Sequence, residues 1–161
     1  MKTNDATAVK GGWTTIVKED FSNEFGLFGQ PGNTATHYNE AMDRVGVVRI
    51  ANGAGGHSVL QSKLIYLQSS AHVRVRVLFS FYTIGMEVLD DLCLCYEISD
   101  GAITGKKCWS SVQAFQVSTW HDGVSFEFGA SDAQSLRITF EIEGDDIVDE
   151  VLLDSVTVQG Q

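Results

Sequence analysis

This sequence predicts an all-β domain, a sandwich or barrel of antiparallel strands, and three observations predict it. Apolar residues recur at every second position over long windows. No window of similar length carries a helical stripe. Clusters of Gly, Asp and Asn interrupt the runs at short intervals. Pleating sends successive side chains of a strand to opposite faces, so a period of two marks one buried and one wet face.

The candidate strands follow in order. Short apolar runs at 47–50 and 63–67 are separated by the turn cluster Asn-Gly-Ala-Gly-Gly at 52–56. The clearest strand spans 72–82. Val73, Val75, Val77, Phe79 and Phe81 share one face, and His72, Arg74, Arg76, Ser80 and Tyr82 the other. Next, Leu92, Leu94, Tyr96 and Ile98 oppose Cys93, Cys95, Glu97 and Ser99, before a turn at Ser99-Asp-Gly101. Runs at 107–115 and 124–128 come after it. Leu136, Ile138, Phe140 and Ile142 then oppose Arg137, Thr139, Glu141 and Glu143; the turn Gly144-Asp-Asp146 leads to a last strand over 148–158. Eight or more strands in one chain of this length mean a sandwich or barrel.

With 161 residues, one proline (Pro31) and no linker-like stretch, the chain reads as one domain over 1–161. Its core runs from about 13 to 158, and 1–12 is expected to be flexible. Acidic residues outnumber basic ones 21 to 11, for a net charge of -10. That charge repels phosphate backbones, and no basic patch offsets it, so nucleic acid is excluded as a partner. No apolar run reaches the roughly 20 residues of a membrane span, so membrane insertion is not expected. Positions 1–10 lack the apolar stretch of a secretory leader, which fits either a cytoplasmic home or a domain excised from a longer secreted precursor.

No nucleophile elbow, phosphate loop or dinucleotide fingerprint occurs, and the chain reads as a non-enzyme. His37, His57, His72 and His121 lack the spacing that builds a transition-metal site. Among three cysteines, a hairpin bend near Gly101–Ala102 would set Cys95 opposite Cys108, close enough for a disulfide, with Cys93 free or paired between chains. The alternative is three reduced thiols in a core.

Several segments, in this order, carry a resemblance: Glu19-Asp-Phe21 with Phe25-Gly-Leu-Phe28; Val48-Arg-Ile50 with Ser58-Val-Leu-Gln-Ser62; Val77-Leu-Phe-Ser-Phe-Tyr82 with Gly85-Met-Glu87; Asp91-Leu-Cys-Leu-Cys-Tyr96 with Ser99-Asp-Gly101; Leu136-Arg-Ile-Thr-Phe140; and Asp149-Glu-Val-Leu-Leu-Asp154. The pattern resembles the galactose-binding-like and MAM-like jelly-roll modules of secreted and cell-surface proteins. It is closest to those that bacteria and algae carry beside carbohydrate-active or adhesive domains. The resemblance implies a two-sheet antiparallel jelly-roll β-sandwich, an extracellular or cell-surface setting, a structural calcium and a ligand surface that varies between members. Two departures stand out. Ser22 replaces the usual Glu after the first Phe, and Ala102–Lys107 intervenes before Cys108-Trp109.

In such jelly rolls a cation is often clamped between the first and last strands. By that logic the metal candidates are Glu19, Asp20, Glu24 and Asp43 near the start and Asp154 near the end, where a carboxylate interrupts an apolar strand and needs a partner. The plainer reading makes them surface acids, some paired with Lys18 or Arg44. A second acidic group, Glu87, Asp90, Asp91, Asp149 and Glu150, sits at strand ends that could converge on a second ion or on loop hydrogen bonds.

If the long strands are neighbours in one sheet, Arg74, Arg76, Tyr82, Glu97, Arg137 and Glu141 make one polar face. Trp13, Tyr38, Trp109 and Trp120 are the candidate aromatic platforms for a sugar, or else plain packing residues. Two functions follow: a carbohydrate-binding module, or a protein-interaction or adhesion module that engages a cell-surface or matrix protein or itself.

Overall fold

The computed structural model describes residues 12–31, 35–52, 59–67, 73–99, 101–110 and 116–161, with the side chains of 30 and 31 excepted. The expected tail lies outside these residues apart from Gly12. So do most of the 52–56 turn cluster, His57, His72 and the end of the 107–115 run.

Twelve strands are present among the described residues: β1 (Thr14–Glu19), β2 (Gln30–Pro31), β3 (Thr36–Ala41), β4 (Arg44–Ala51), β5 (Val59–Gln61), β6 (Ile65–Tyr66), β7 (Arg74–Ile84), β8 (Asp91–Ile98), β9 (Ile103–Ser110), β10 (Trp120–Gly129), β11 (Ser135–Glu143) and β12 (Glu150–Gly160). They form two antiparallel six-stranded sheets. Sheet A has the order β10-β7-β12-β4-β3, with β1 beside β12. Sheet B has the order β2-β5-β11-β8-β9, with β6 on β11.

The alternation read from sequence decides which face of each sheet goes inside. Val75, Val77, Phe79 and Phe81 of β7 are buried, and so are Leu136, Ile138, Phe140 and Ile142 of β11. They meet across the sandwich. The Phe79 ring lies 5.0 Å from Phe140 and 5.2 Å from Trp109, both edge-on, the arrangement that aromatic quadrupoles favour. Phe28 and Phe21 extend the cluster at 6.1 Å from Phe140 and 5.7 Å from each other. At the far edge Tyr96 stacks flat on Phe128 at 3.9 Å. Tyr96 also covers its cross-strand partner Gly105, where a Cβ would collide with the ring.

Periodicity missed four strands: β2 and β5 are only two and three residues long, and β1 and β3 are edge or near-edge elements. β3 (Thr-His-Tyr-Asn-Glu-Ala) is half exposed, and β1 has intermediate positions on both faces. Neither has a fully buried face to print an alternation. β3 and β4 are joined by Met42 and Asp43, both in the left-handed region at φ 49° and 64°, which suits a two-residue hairpin turn. Gly46, at φ 70°, is needed where β4 crosses the backbone of Asp20 and Phe21, 2.7 Å from where a Cβ would stand.

The expected Cys95–Cys108 bridge is corrected. Cys93 is bonded to Cys108, and Cys95 is the free thiol. The reason is the position of the turn. Ala102 donates to the Ser99 carbonyl and Ile98 pairs with Ile103, so the reversal is centred one residue earlier than a bend at Gly101–Ala102 would be. Moving the centre of a hairpin by one residue shifts the register by two, which sets Cys93 opposite Cys108. Cys95 faces Lys106, and its Sγ lies 3.3 Å from Glu141 Oε1. Burial and that carboxylate push its thiol up to about 11.

Two outcomes follow. Non-reducing peptide mapping should recover Cys93 linked to Cys108, and Cys108→Ser should lower stability by about 3 kcal/mol, the loop term for a sequence separation of 15. Cys95→Ser should stay within about 0.5 kcal/mol of wild type. Rapid alkylation of Cys95 in the folded protein at neutral pH would contradict its protected, protonated state.

Candidate functional site

The single polar face expected from the long strands divides in two. β7 belongs to sheet A, whereas β8 and β11 belong to sheet B, because the segment between β7 and β8 crosses from one sheet to the other. Arg74, Arg76 and Tyr82 therefore lie on the outside of sheet A, while Glu97, Arg137 and Glu141 lie on the outside of sheet B. Trp109 is on neither. It is 9% exposed, packed against Phe79, and belongs to the core.

Over β8, β9 and β11 the outer face of sheet B is a ladder of matched charges, with Tyr66 of β6 exposed beyond it. Glu97 and Arg137 pair at 3.4 Å. Lys106 reaches Glu141 at 2.6 Å and also meets Glu143. The outward residues of β8, β9 and β11 include no aromatic ring.

Sheet A is different. Trp120 pairs with Tyr82 across the β10–β7 ladder, with ring centroids 5.5 Å apart. The Trp120 indole donates to the Met42 carbonyl at 2.9 Å, and the Arg44 guanidinium lies 4.1 Å over its ring. Arg44 in turn donates to both carboxylate oxygens of Asp122 at 2.8 and 2.9 Å and to Asp154 at 2.7 Å. Both acids sit where the ladders slip: β10 bulges between His121 and Val124, and β12 between Leu153 and Ser155. A bulge re-aims a side chain that regular pleating would send elsewhere. The arginine beside Asp122 holds that carboxyl below its ordinary range.

Next to this group, Arg49 is paired with Glu150. Leu152, which alternation places outward, is only 2% exposed and forms an apolar floor among Tyr82 and Arg49, its neighbours in register. At the other end of β7, Arg76 stands 4.4 Å from the Trp13 ring and donates to Gln159 at 2.6 and 3.1 Å. Arg74 pairs with Glu127 at 2.6 Å. The six-residue step from Arg76 to Tyr82 spans roughly 20 Å of strand. The outer face of sheet A thus carries indole rings toward both ends, with fixed hydrogen-bonding groups between them.

The acids near the chain's two ends are held by protein groups. Glu19 accepts from the backbone N–H of Phe21 at 2.9 Å and of Leu27 at 2.6 Å, and Asp20 from that of Ser22 at 3.0 Å. Glu24 and Asp43 are exposed. Of the two partners the sequence offered Asp154, an ion or a basic side chain, the structure supplies Arg44. Among the described residues these five carboxylates do not gather into a group of three.

A denser acidic group lies elsewhere. One carboxylate oxygen each of Asp90, Asp145 and Asp149 fall within 4.8 Å of one another, which makes the group able to hold a metal ion. Asp149 is fully buried and Asp90 is 3% exposed. Asp90 Oδ2 accepts from the Glu87 N–H at 2.5 Å, and Asp149 Oδ2 from the Asp146 N–H at 3.0 Å. Asp149 Oδ1 is buried with no hydrogen-bond partner. Burial, then the charges of Asp90, Asp146 and Asp145, raise the Asp149 carboxyl above its ordinary range. Of the acids singled out from sequence, Glu87 contributes its backbone, Asp91 faces Ser110 and Glu143 on sheet B, and Glu150 is paired with Arg49. Asp145 was legible only as part of a turn.

No family model matches the chain, and no curated protein matches it. Solved structures do. A family 61 carbohydrate-binding module in complex with β-1,4-galactotriose superposes with a TM-score of 0.59 at 14% identity, covering 92% of this chain and 99% of that one. A xylan-binding family 22 module from Paenibacillus barcinonensis gives 0.56 at 14% identity, over 91% and 94%. A family 27 module described for mannan recognition gives 0.55 at 10% identity, over 94% and 99%. At such identities the likeness speaks for the fold, and the fold of this chain is the two-sheet jelly-roll β-sandwich of carbohydrate-binding modules.

Proposed function

We propose that this chain is a non-catalytic, calcium-stabilised extracellular module that binds a glycan chain along the outer face of sheet A. The observation that carries this reading is the Trp120–Tyr82 pair, with its indole fixed by Met42 and Arg44. Sugar rings present apolar C–H faces and a rim of hydroxyls, so a sugar site needs a rigid aromatic surface with pre-placed polar groups around it. Arg44, Asp122, Asp154, Arg49 and Glu150 are such groups. Arg76 and Arg74, beside Trp13, extend the strip. The three solved structures named above are described with β-1,4-galactotriose, xylan and mannan, which supports the substrate class. The Cys93–Cys108 disulfide suits an oxidising compartment.

A second reading, a protein-interaction or self-associating adhesion module, rests on a different observation. Val88, Leu89, Ile147 and Val148 are 70, 85, 64 and 54% exposed on two adjoining loops. Such an apolar rim is a protein-contact feature. A protein that stays monomeric at high concentration and captures no protein partner in a pull-down would remove this reading.

Against a panel of β-1,4-linked galactan, xylan and mannan oligosaccharides, calorimetry should find binding to at least one. Trp120→Ala should weaken it by about 2 kcal/mol, roughly 30-fold. Silence across the panel, or an unchanged affinity in the variant, would contradict the proposal.

Arg44→Ala should cost about 1–2 kcal/mol at pH 7, a figure discounted for the exposure of Asp122. The Arg44–Asp122 contribution exists above the unfolded carboxyl value of about 3.9 and disappears as pH falls through the lowered folded value. Denaturation at pH 7 and pH 3 should therefore show a smaller penalty at pH 3. An equal penalty at both would show that charge pairing is not what Arg44 supplies.

A further inference from the structure

We propose that Asp90, Asp145 and Asp149 form a calcium site that ties together the two crossings between sheets at one end of the sandwich. The inference rests on the calcium part of the reading above and is independent of its glycan part.

The placement is topological. The segment between β7 and β8 carries the chain from sheet A to sheet B, and the segment between β11 and β12 carries it back. Asp90 ends the first crossing, while Asp145 and Asp149 lie in the second. The two segments touch, since a Cβ on Gly85 would run into Val148. Asn52 holds the second from its other side, donating to the carbonyls of Gly144 and Asp146 at 2.9 and 3.0 Å.

Like charges in adjacent buried positions are unfavourable unless a counter-charge joins them. Here Asp149 is fully buried and its side chain turns into the cluster, yet one of its oxygens meets no donor. Buried polar atoms are nearly always satisfied, and an orphan asks for an explanation, of which an ion is one. An open pocket of 280 Å³ adjoins the group, lined by Leu89, Asp90, Glu143, Gly144 and Asp145, with no basic side chain among them. Glycine at 144 is required for the arrangement, because a Cβ there would collide with Asp149 Oδ2.

The donors are carboxylate oxygens from two irregular segments, and the open side leaves room for waters. That set suits a hard cation of flexible coordination, calcium before magnesium, and disfavours zinc or copper. Cys93, Cys108 and Glu143 also converge, but both sulfurs there are consumed in the disulfide.

The test is calcium titration of the EDTA-treated, dialysed protein by calorimetry, with thermal melts in parallel. Wild type should bind one calcium and melt roughly 5–10 °C higher at hundredfold excess over the dissociation constant. Magnesium should bind at least tenfold more weakly. Asp149→Asn should lose the calcium shift and melt above wild type in EDTA, because a buried charge has been removed. Asp145 is exposed, so Asp145→Asn should fold normally and bind calcium about tenfold more weakly, which keeps the test valid if the Asp149 variant does not fold. Asp154→Asn should bind calcium like wild type. Absence of heat and melting shift in wild type would overturn the site, as would calcium binding that survives in Asp145→Asn and Asp149→Asn but fails in Asp154→Asn. Glycan binding in EDTA with no calcium response would remove this site alone. A calcium response without glycan binding would uphold the site and remove the glycan reading.

Discussion

The edge-on packing of Phe79 against Phe140 and Trp109 is the contact on which the rest of the molecule depends. It joins β7 of one sheet to β11 and β9 of the other and settles which face of each of these strands is interior. Once Phe79 and Phe81 point inward, pleating alone sends Arg76 and Tyr82 outward. Once Phe140 points inward, Arg137, Thr139 and Glu141 must face the other way. The sandwich therefore has two outer surfaces of unlike chemistry. One is a ladder of lysine, arginine and glutamate pairs; the other carries indoles over an apolar floor.

The acidic excess of the chain is handled in two ways. At Asp122 and Asp154, a guanidinium threads between two bulges and neutralises both, stacking on Trp120 as it does so. A planar five-donor fork can bind Asp122 through both oxygens, reach Asp154 and still lie flat on a ring, a geometry that an ammonium lacks. At Asp90 and Asp149 the surroundings are backbone N–H groups and other acids, and burial is nearly complete. The first arrangement is self-contained. Among the described residues the second lacks a counter-charge of its own, and on the proposal above a cation there would tie the two sheet crossings together.

Much of this was legible in the sequence, for a physical reason. Strands with one buried and one wet face, such as β7, β8 and β11, print a period of two, so their existence and their inner residues could be read directly. Alternation assigns a residue to a face of its own sheet but does not say which sheet. For that reason the polar residues of β7 and β11 could be imagined side by side when they lie on opposite surfaces. The disulfide failed on a single residue of turn position. Parity alone would have placed Trp109 opposite in direction to Cys108 and hence inside. Asp145 had no signal beyond a Gly-Asp-Asp turn, because a cluster made by two crossings far apart in sequence exists only once the sheets pack.

The central claim is that ligand binds the aromatic face of sheet A. The most direct test maps backbone and indole NMR shifts while a bound oligosaccharide from the galactan, xylan or mannan series is titrated in. Perturbations should centre on Trp120, Tyr82, Arg49 and Leu152, fading toward Trp13, with Glu97, Arg137 and Glu141 unmoved. A perturbation map centred on those last three, or on the loops bearing Leu89 and Ile147, would contradict the claim.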